Sequence, residues 1–368
     1  MSATRPRLRD LDIAIGVLPT GELNAITDVP GVRVGHTTII TGEPGRDAII
    51  ARTGVTAIHP HEGSAFQQLV PAAIEILNGS GEITGRSQID EYGLLETPIL
   101  ITNTHSIGAV HRACVEWLVE REPTLGRNHF VVPVVAETFD GFLSDTRIQH
   151  VTSEHVFAAL DSATGGAVAE GCVGGGTGML LFGFKGGIGT SSRVVEIGEH
   201  GYNVGVLVQG NTGGRPDLLV DGVPVGQEID DLMPERGTPG NGSIIVVIAT
   251  DAPLTDRQLR RICKRGILGL GRVGAVAQHS SGDLLLAFSN APLVRVERTD
   301  ERTPIDSSRV ADQHLNGLFR ATIEATAEAV LNAMIAAETM VGLSGNVCHA
   351  LPHDRLREVM RRYARLRE

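Results

Sequence analysis

Arg236-Gly-Thr-Pro-Gly-Asn-Gly242 runs directly into Ser243 and then into the apolar run Ile244-Ile-Val-Val-Ile248. The first half is loop chemistry; the second half is apolar at successive positions, as a strand covered on both faces is. Ser243 therefore carries its hydroxyl where a strainable loop becomes a buried strand. If the Gly242–Ser243 peptide bond breaks, Ser243 becomes an N-terminus holding a nucleophile and a base on one residue. A free α-amine titrates at about 7.7–8.0, so a useful fraction is neutral near pH 7. A lysine needs heavy desolvation to match that. An amine beside a hydroxyl is one way to activate a weak nucleophile. The ordinary reading stays open at this point, because Asn-Gly is a common turn signal. The same tripeptide recurs at Asn78-Gly79-Ser80, where it closes an apolar pattern read as a helix over 65–77.

The chain has 368 residues, 42% hydrophobic and 20% charged, with 45 glycines and only 4% aromatics. That composition suits one layered α/β assembly whose backbones approach closely. The net charge of −11 argues against a nucleic-acid partner, since phosphate contacts call for a basic surface. The N-terminal residues lack the apolar stretch of a secretory signal, and no apolar run has the length of a membrane span. Cys114, Cys172, Cys263 and Cys348 stand far apart, without a zinc or redox spacing. A cytoplasmic protein with reduced, mostly buried thiols is expected.

Working outward from the junction, strands are predicted over 31–36, 54–59, 98–102, 129–136, 178–184, 192–197, 203–209, 244–249, 274–278 and 284–288. Helices are predicted over 65–77, 108–121, 153–160, 255–268, 316–340 and 354–367. The alanine-rich helix 316–340 should pack close to a neighbour. Strands and helices do not alternate strictly, which favours a mixed sheet system over a dinucleotide-binding fold. The polar segment 212–242 is long for a connection, and loops of that kind are usually functional or cleavable.

Several motifs carry possible chemistry. Gly269-Leu-Gly271-Arg-Val-Gly274 matches a dinucleotide fingerprint but follows a helix and precedes a strand, the reverse of the required order. A helix C-cap explains it better. Gly174-Gly-Gly-Thr-Gly178 and Lys185-Gly-Gly-Ile-Gly189 read as places of close backbone approach. His59-Pro-His61 after a strand is the metal-hydrolase signal, and a zinc site there needs further ligands from residues such as His105, His111, His129 and His150. Glu137-Thr-Phe-Asp140 puts carboxylates at a strand end, suited to a cationic group or to loop anchoring. Asn211 ends another strand, where its amide is placed either to donate to an oxyanion or to make a turn. Ser281 and Asp283 lie two residues apart in a tight turn.

In order and spacing these blocks resemble the self-processing N-terminal-serine aminopeptidases, namely the L-aminopeptidase D-Ala-esterase/amidase (DmpA-type) enzymes and the β-peptidyl aminopeptidases. The blocks that carry the resemblance are 24–36, 134–141, 210–214 and 242–253. The resemblance implies an α+β fold, a four-layer αββα sandwich like that of N-terminal-nucleophile hydrolases but differently connected, formed by residues 1–368 as one domain. It implies self-cleavage between Gly242 and Ser243 into an α chain 1–242 and a β chain 243–368, assembled as a tetramer of αβ heterodimers. By position, Ser243 is the nucleophile, Asn211 an oxyanion donor, Ser281 and Asp283 supports of the Ser243 amine and hydroxyl, and Glu137 the anchor of the substrate ammonium. Substrates are then short peptides, amides or esters with a free amino group, D- or β-amino acids among them, and no cofactor, metal, nucleic acid or membrane is needed. The esterase/amidase pattern has a tyrosine where this chain has Phe139, which keeps the aromatic face and loses the hydroxyl. Two alternatives stand beside this reading: a metal-dependent amidohydrolase built on His59 and His61, and a non-catalytic scaffold that binds small ligands.

Overall fold

The computed structural model describes residues 5–240, 242–299 and 308–367, so Asn241 of the junction lies outside the described residues. In chain order the principal elements are β1 (Arg33–Thr41), β2 (Ala51–His59), β3 (Gln68–Gly79), β4 (Ile99–Asn103), α1 (Ile107–Arg121), β5 (Val134–Thr138) and α2 (Ser153–Asp161). They continue with β6 (Gly187–Ile197), β7 (His200–Asn211), β8 (Ser243–Thr250), α3 (Asp256–Arg272), β9 (Gly282–Ser289), α4 (Asn316–Ile335) and α5 (His353–Arg362).

The strands form two large sheets. One is four-stranded in the order β1-β2-β4-β5; the other is seven-stranded and runs Val296–Glu297, β3, β9, β8, β7, β6, with Leu94–Leu95 added against β3. Ile58, Ile99, Ile101 and Ala136 of the first sheet meet Leu207, Ile245, Val247 and Leu284 of the second in one dry layer. The opposite face of the larger sheet, with Val206, Ile244, Val246 and Leu285, is covered by α3 and α4. The outer face of the smaller sheet packs on α1 and α2. The result is helices, sheet, sheet, helices: the expected αββα layering. Both faces of β8 are buried along its length, which is why its sequence shows no polar alternation.

The alanine-rich helix lies close to its sheet, as expected. A Cβ on Gly189 of β6 would fall 2.0 Å from the Ala329 carbonyl of α4, so only glycine admits that approach. The helix stops at Ile335, earlier than the sequence pattern suggested.

Four expectations need correction. Residues 65–77 form no helix; most of them lie in β3, with Val70, Ala72 and Ile74 facing the inter-sheet layer and Ala73 the helices. An apolar run buried on both faces does not reveal its period, but Pro71 within it would break a helix and is tolerated in the strand. Asn78-Gly79-Ser80 accordingly ends a strand. Residues 274–278 are not a strand, since Gly274 (φ +93°) and Ala277 (φ +48°) take left-handed backbone. Residues 178–184 make a small hairpin, Leu180–Leu181 against Phe184–Lys185, turning at Phe182 (φ +50°) and Gly183 (φ +72°). The strand foreseen over 129–136 starts later, after Pro133, and runs on to Thr138, which brings Glu137 into it.

Candidate active site

Ser243 begins β8, and β8 has a neighbour on each side. Asn211 of β7 pairs with Ser243 across the antiparallel ladder, and Gly282 of β9 pairs with it across the parallel one. Directly opposed residues in an antiparallel pair share a face. By alternation from Ile245 and Leu207, Ser243 and Asn211 both belong to the inter-sheet side, at the mouth of the dry layer. Ser243 is buried, and Gly242 before it is pressed against β7: an added Cβ would lie 2.1 Å from the Asn211 carbonyl oxygen. Glycine is thus required at 242 by close contact alone.

Two hydrogen bonds fix the Asn211 amide. The Leu180 N–H donates to Oδ1 at 2.8 Å, and Nδ2 donates to the Phe139 carbonyl at 2.9 Å. The two partners set the orientation of the amide and, among the described residues, leave one Nδ2 hydrogen uncommitted. A donor held in place before charge develops is what an oxyanion site requires.

Ser281 and Asp283 bracket Gly282. The Ser281 hydroxyl donates to Asp283 Oδ1 at 2.7 Å, and Thr212 Oγ1 lies 3.4 Å from Ser281 Oγ. Among the described residues Asp283 Oδ2 is buried without a hydrogen-bond partner, and burial raises the Asp283 pKa against the opposing Ser281 hydrogen bond. Glu137 reaches the same region from the other sheet. Its Oε1 accepts from the Glu82 N–H at 3.0 Å, and Oε2 from the Thr104 hydroxyl. A Cβ on Gly81 would sit 3.0 Å from Glu137 Oε1 and 3.2 Å from Gly282 Cα, so a single bare glycine separates the carboxylate from the partner of Ser243. Burial raises the Glu137 pKa, and its two hydrogen bonds oppose that.

Beside these residues opens a cavity of about 230 Å³ lined by Phe139, Phe142, Leu180, Asn211, Met233 and Gly242, among others. Pro239 and Gly240 also line it, whereas Ser243, Glu137, Ser281 and Asp283 do not. Phe139 contributes its ring, which packs edge-on to His105 at 6.0 Å, and its carbonyl, which holds Asn211. The segment 212–242 is pinned from within by Arg215, whose guanidinium donates to the carbonyls of Phe182, Gly183, Ile229, Asp231 and Leu232.

The histidine pair points elsewhere. His59 Nε2 bonds the Leu160 carbonyl at 3.0 Å, and burial lowers its pKa to about 4. His61 spends both ring nitrogens on the protein, with Nε2 on the Gln68 carbonyl at 2.7 Å and Nδ1 accepting from the Gly63 N–H at 3.1 Å. Among the described residues no three metal-capable side chains converge. His59-Pro-His61 is a strand-end anchor, and the metal-hydrolase reading of it is set aside.

Sequence reasoning missed Thr104, Thr212 and the backbone of Leu180. Thr212 follows Asn211 directly and was there to be noticed; Thr104 and Leu180 reach the site only through tertiary contacts. Asp140 was read only with Glu137, as a strand-end carboxylate suited to a cationic group or to loop anchoring. It is fully buried, neither carboxylate oxygen has a hydrogen-bond partner of good geometry among the described residues, and burial, opposed by the neighbouring Thr53 hydroxyl, pushes its pKa up to about 7.

Comparison with known proteins identifies the family and the fold. The profile of peptidase family S58 matches residues 24–348. The β-peptidyl aminopeptidase BapA of Sphingosinicella xenopeptidilytica is 44% identical over 375 residues, spanning 98% of this chain and 92% of the relative. The solved L-aminopeptidase D-Ala-esterase/amidase of Ochrobactrum anthropi, described as a prototype for the serine aminopeptidases and a variant of the Ntn hydrolase fold, superposes with a TM-score of 0.91. It is 44% identical, with 98% of this chain and 100% of that one covered. A Burkholderia sp. β-aminopeptidase superposes at 0.87, also 44% identical, over 97% of this chain and 99% of that one. With a family profile over most of its length and a 44% identical relative over nearly all of it, this chain belongs to peptidase family S58.

Proposed function

We propose that this serine aminopeptidase cuts itself before Ser243 and then uses the same hydroxyl on its substrates. The observation that carries the proposal is the register: Ser243 stands opposite the pre-oriented amide of Asn211, with Gly242 wedged against the neighbouring strand. In the first reaction Ser243 Oγ attacks the Gly242 carbonyl. The C–N bond gives way to an ester, the amine is released with the hydroxyl proton, and water hydrolyses the ester to leave chains 1–242 and 243–368. In the second, Oγ attacks a substrate acyl carbon and its proton passes to the freed α-amine. Asn211 Nδ2 donates to the tetrahedral oxyanion. The leaving amine or alcohol takes the proton, and water attacks the acyl-enzyme to restore the hydroxyl. Ser281 and Asp283 steady the amine, with Asp283 Oδ2 as an unfilled acceptor. Glu137 anchors the substrate ammonium and makes the enzyme an exopeptidase.

The relatives' names support substrates with an unblocked amino group: short peptides, amides and esters, of D- or β-amino acids as well as L-residues. The resemblance supports assembly of the two chains into a tetramer of αβ heterodimers. Four free cysteines, three of them buried, fit a reducing cytoplasm; among the described residues no helix is long and apolar enough to cross a membrane.

Intact-mass spectrometry tests the scheme. Purified protein should resolve into two chains split before Ser243, and Ser243→Ala should give one chain with no activity on an amino-acid p-nitroanilide. A single uncut chain with full anilide activity would overturn it.

A further inference from the structure

Lys185 closes the small hairpin beside the site, and its side chain is wholly buried. Among the described residues no carboxylate forms an ion pair with it. Its neighbour Cys348 remains a thiol, with burial pushing that pKa up to about 12. A buried ammonium without a counter-ion is costly unless its donors are all used. Here Nζ donates to the carbonyls of Met179 at 2.8 Å, Gly186 at 2.9 Å and Gly176 at 3.5 Å, so three acceptors meet the three donors of an ammonium. The Met179 carbonyl also accepts from the Gly186 N–H at 2.9 Å. The peptide group that begins at this carbonyl ends at the Leu180 N–H, and that N–H holds Asn211 Oδ1.

We infer that Lys185 is a positioning residue for the oxyanion site, acting on Asn211 through the Met179–Leu180 peptide. The inference rests on the reading of Asn211 as oxyanion donor. The chain of contacts runs from ammonium to carbonyl, from N–H to Oδ1, and from Nδ2 toward the substrate oxygen. Each amide in such a chain is polarised by the one before it, and hydrogen bonds in series strengthen one another. A fixed positive charge at the far end draws electron density away from the Asn211 amide and makes its free Nδ2 hydrogen a better donor. It also locks the 179–180 peptide against rotation. An apolar side chain could fill the same space but would leave the Met179 and Gly186 carbonyls short of a donor and the relay without its charge.

A double-mutant cycle with Asn211→Ala tests this, with kcat and KM for an amino-acid p-nitroanilide normalised to the fraction of chain processed. Lys185→Met should lower kcat by about 10-fold, with KM little changed, because the interaction strengthens only as the oxyanion forms. In the Asn211→Ala background the same substitution should cost no more than about 2-fold, since the amide it acts through is gone. Lys185→Gln, which keeps two N–H donors without the charge, should fall between wild type and Lys185→Met. Equal losses in both backgrounds would make Lys185 a packing residue and overturn the inference alone. An Asn211→Ala enzyme with undiminished kcat would remove the oxyanion reading and this inference with it. Failure of both Lys185 variants to fold or to process would assign the residue to the core and overturn the inference as well.

Discussion

At Glu137 burial and hydrogen bonding pull in opposite directions, and burial is the larger effect. The side chain is fixed by the Glu82 N–H and the Thr104 hydroxyl, and in the proposed reading it receives the substrate's ammonium group. Glu137→Gln keeps the shape and removes the charge, so it should raise KM for substrates with a free amine by roughly 10- to 100-fold. Self-cleavage, which involves no substrate ammonium, should change by less than about 3-fold. Steady-state kinetics beside a time course of chain scission would check this, and equal losses in both would refute the anchoring role. Ser243, Asn211 and Glu137 were legible in the sequence because each ends or begins an apolar run, where a polar side chain has to be explained. The Thr104 contact to Glu137 and the Lys185 relay were not, because both depend on which loops the two sheets bring together. Phe139 lay between: its lost hydroxyl showed in the sequence, whereas the use of its carbonyl to hold Asn211 is a property of the fold.

The element that organises the site is β8, whose first residue is in register with Asn211 and with Gly282. Its character was readable from five apolar residues in a row; its neighbours were not, since long-range pairing leaves no local trace. The misread segment 65–77 is the clearest case, for β3 closes the far side of β9. Register also makes Gly242 exacting. Gly242→Ala would drive a methyl group to within 2.1 Å of the Asn211 carbonyl oxygen, and either the strand end or the loop must move. Overpacking of that kind costs about 1–3 kcal/mol, and here it displaces the scissile bond as well. Self-cleavage should slow at least about 10-fold, as a loss of 1.4 kcal/mol or more in the transition state requires. The two-chain product should appear in a mass-spectrometric time course accordingly late, with a lowered melting temperature. Unchanged scission would show that the loop relaxes freely.

For the whole molecule, Asp140 links the site to stability. Its pKa is held up to about 7, whereas an unfolded aspartate titrates near 3.9. Between those values the folded state keeps a proton that the unfolded state has released, so stability falls as pH rises through that window. Asp140→Asn removes this dependence. Relative to the variant, the wild type should lose up to about 4 kcal/mol between pH 4 and pH 8, read as diverging urea midpoints; parallel curves would deny the buried acid. The layering was expected from the family resemblance, whereas the mixture of strands and helices by itself pointed only to a mixed sheet system, and the interleaving of strands was not foreseen. In the larger sheet β8 and β9 lie between β7 on one side and β3 on the other. If the proposed cut before Ser243 is made, the two middle strands belong to one polypeptide and their flanks to the other. The pieces are then braided, and neither holds the instructions to rebuild the braid alone. Maturation would act as a ratchet: the intact precursor can fold again after melting, whereas the nicked enzyme, once opened, has no covalent memory of its partner.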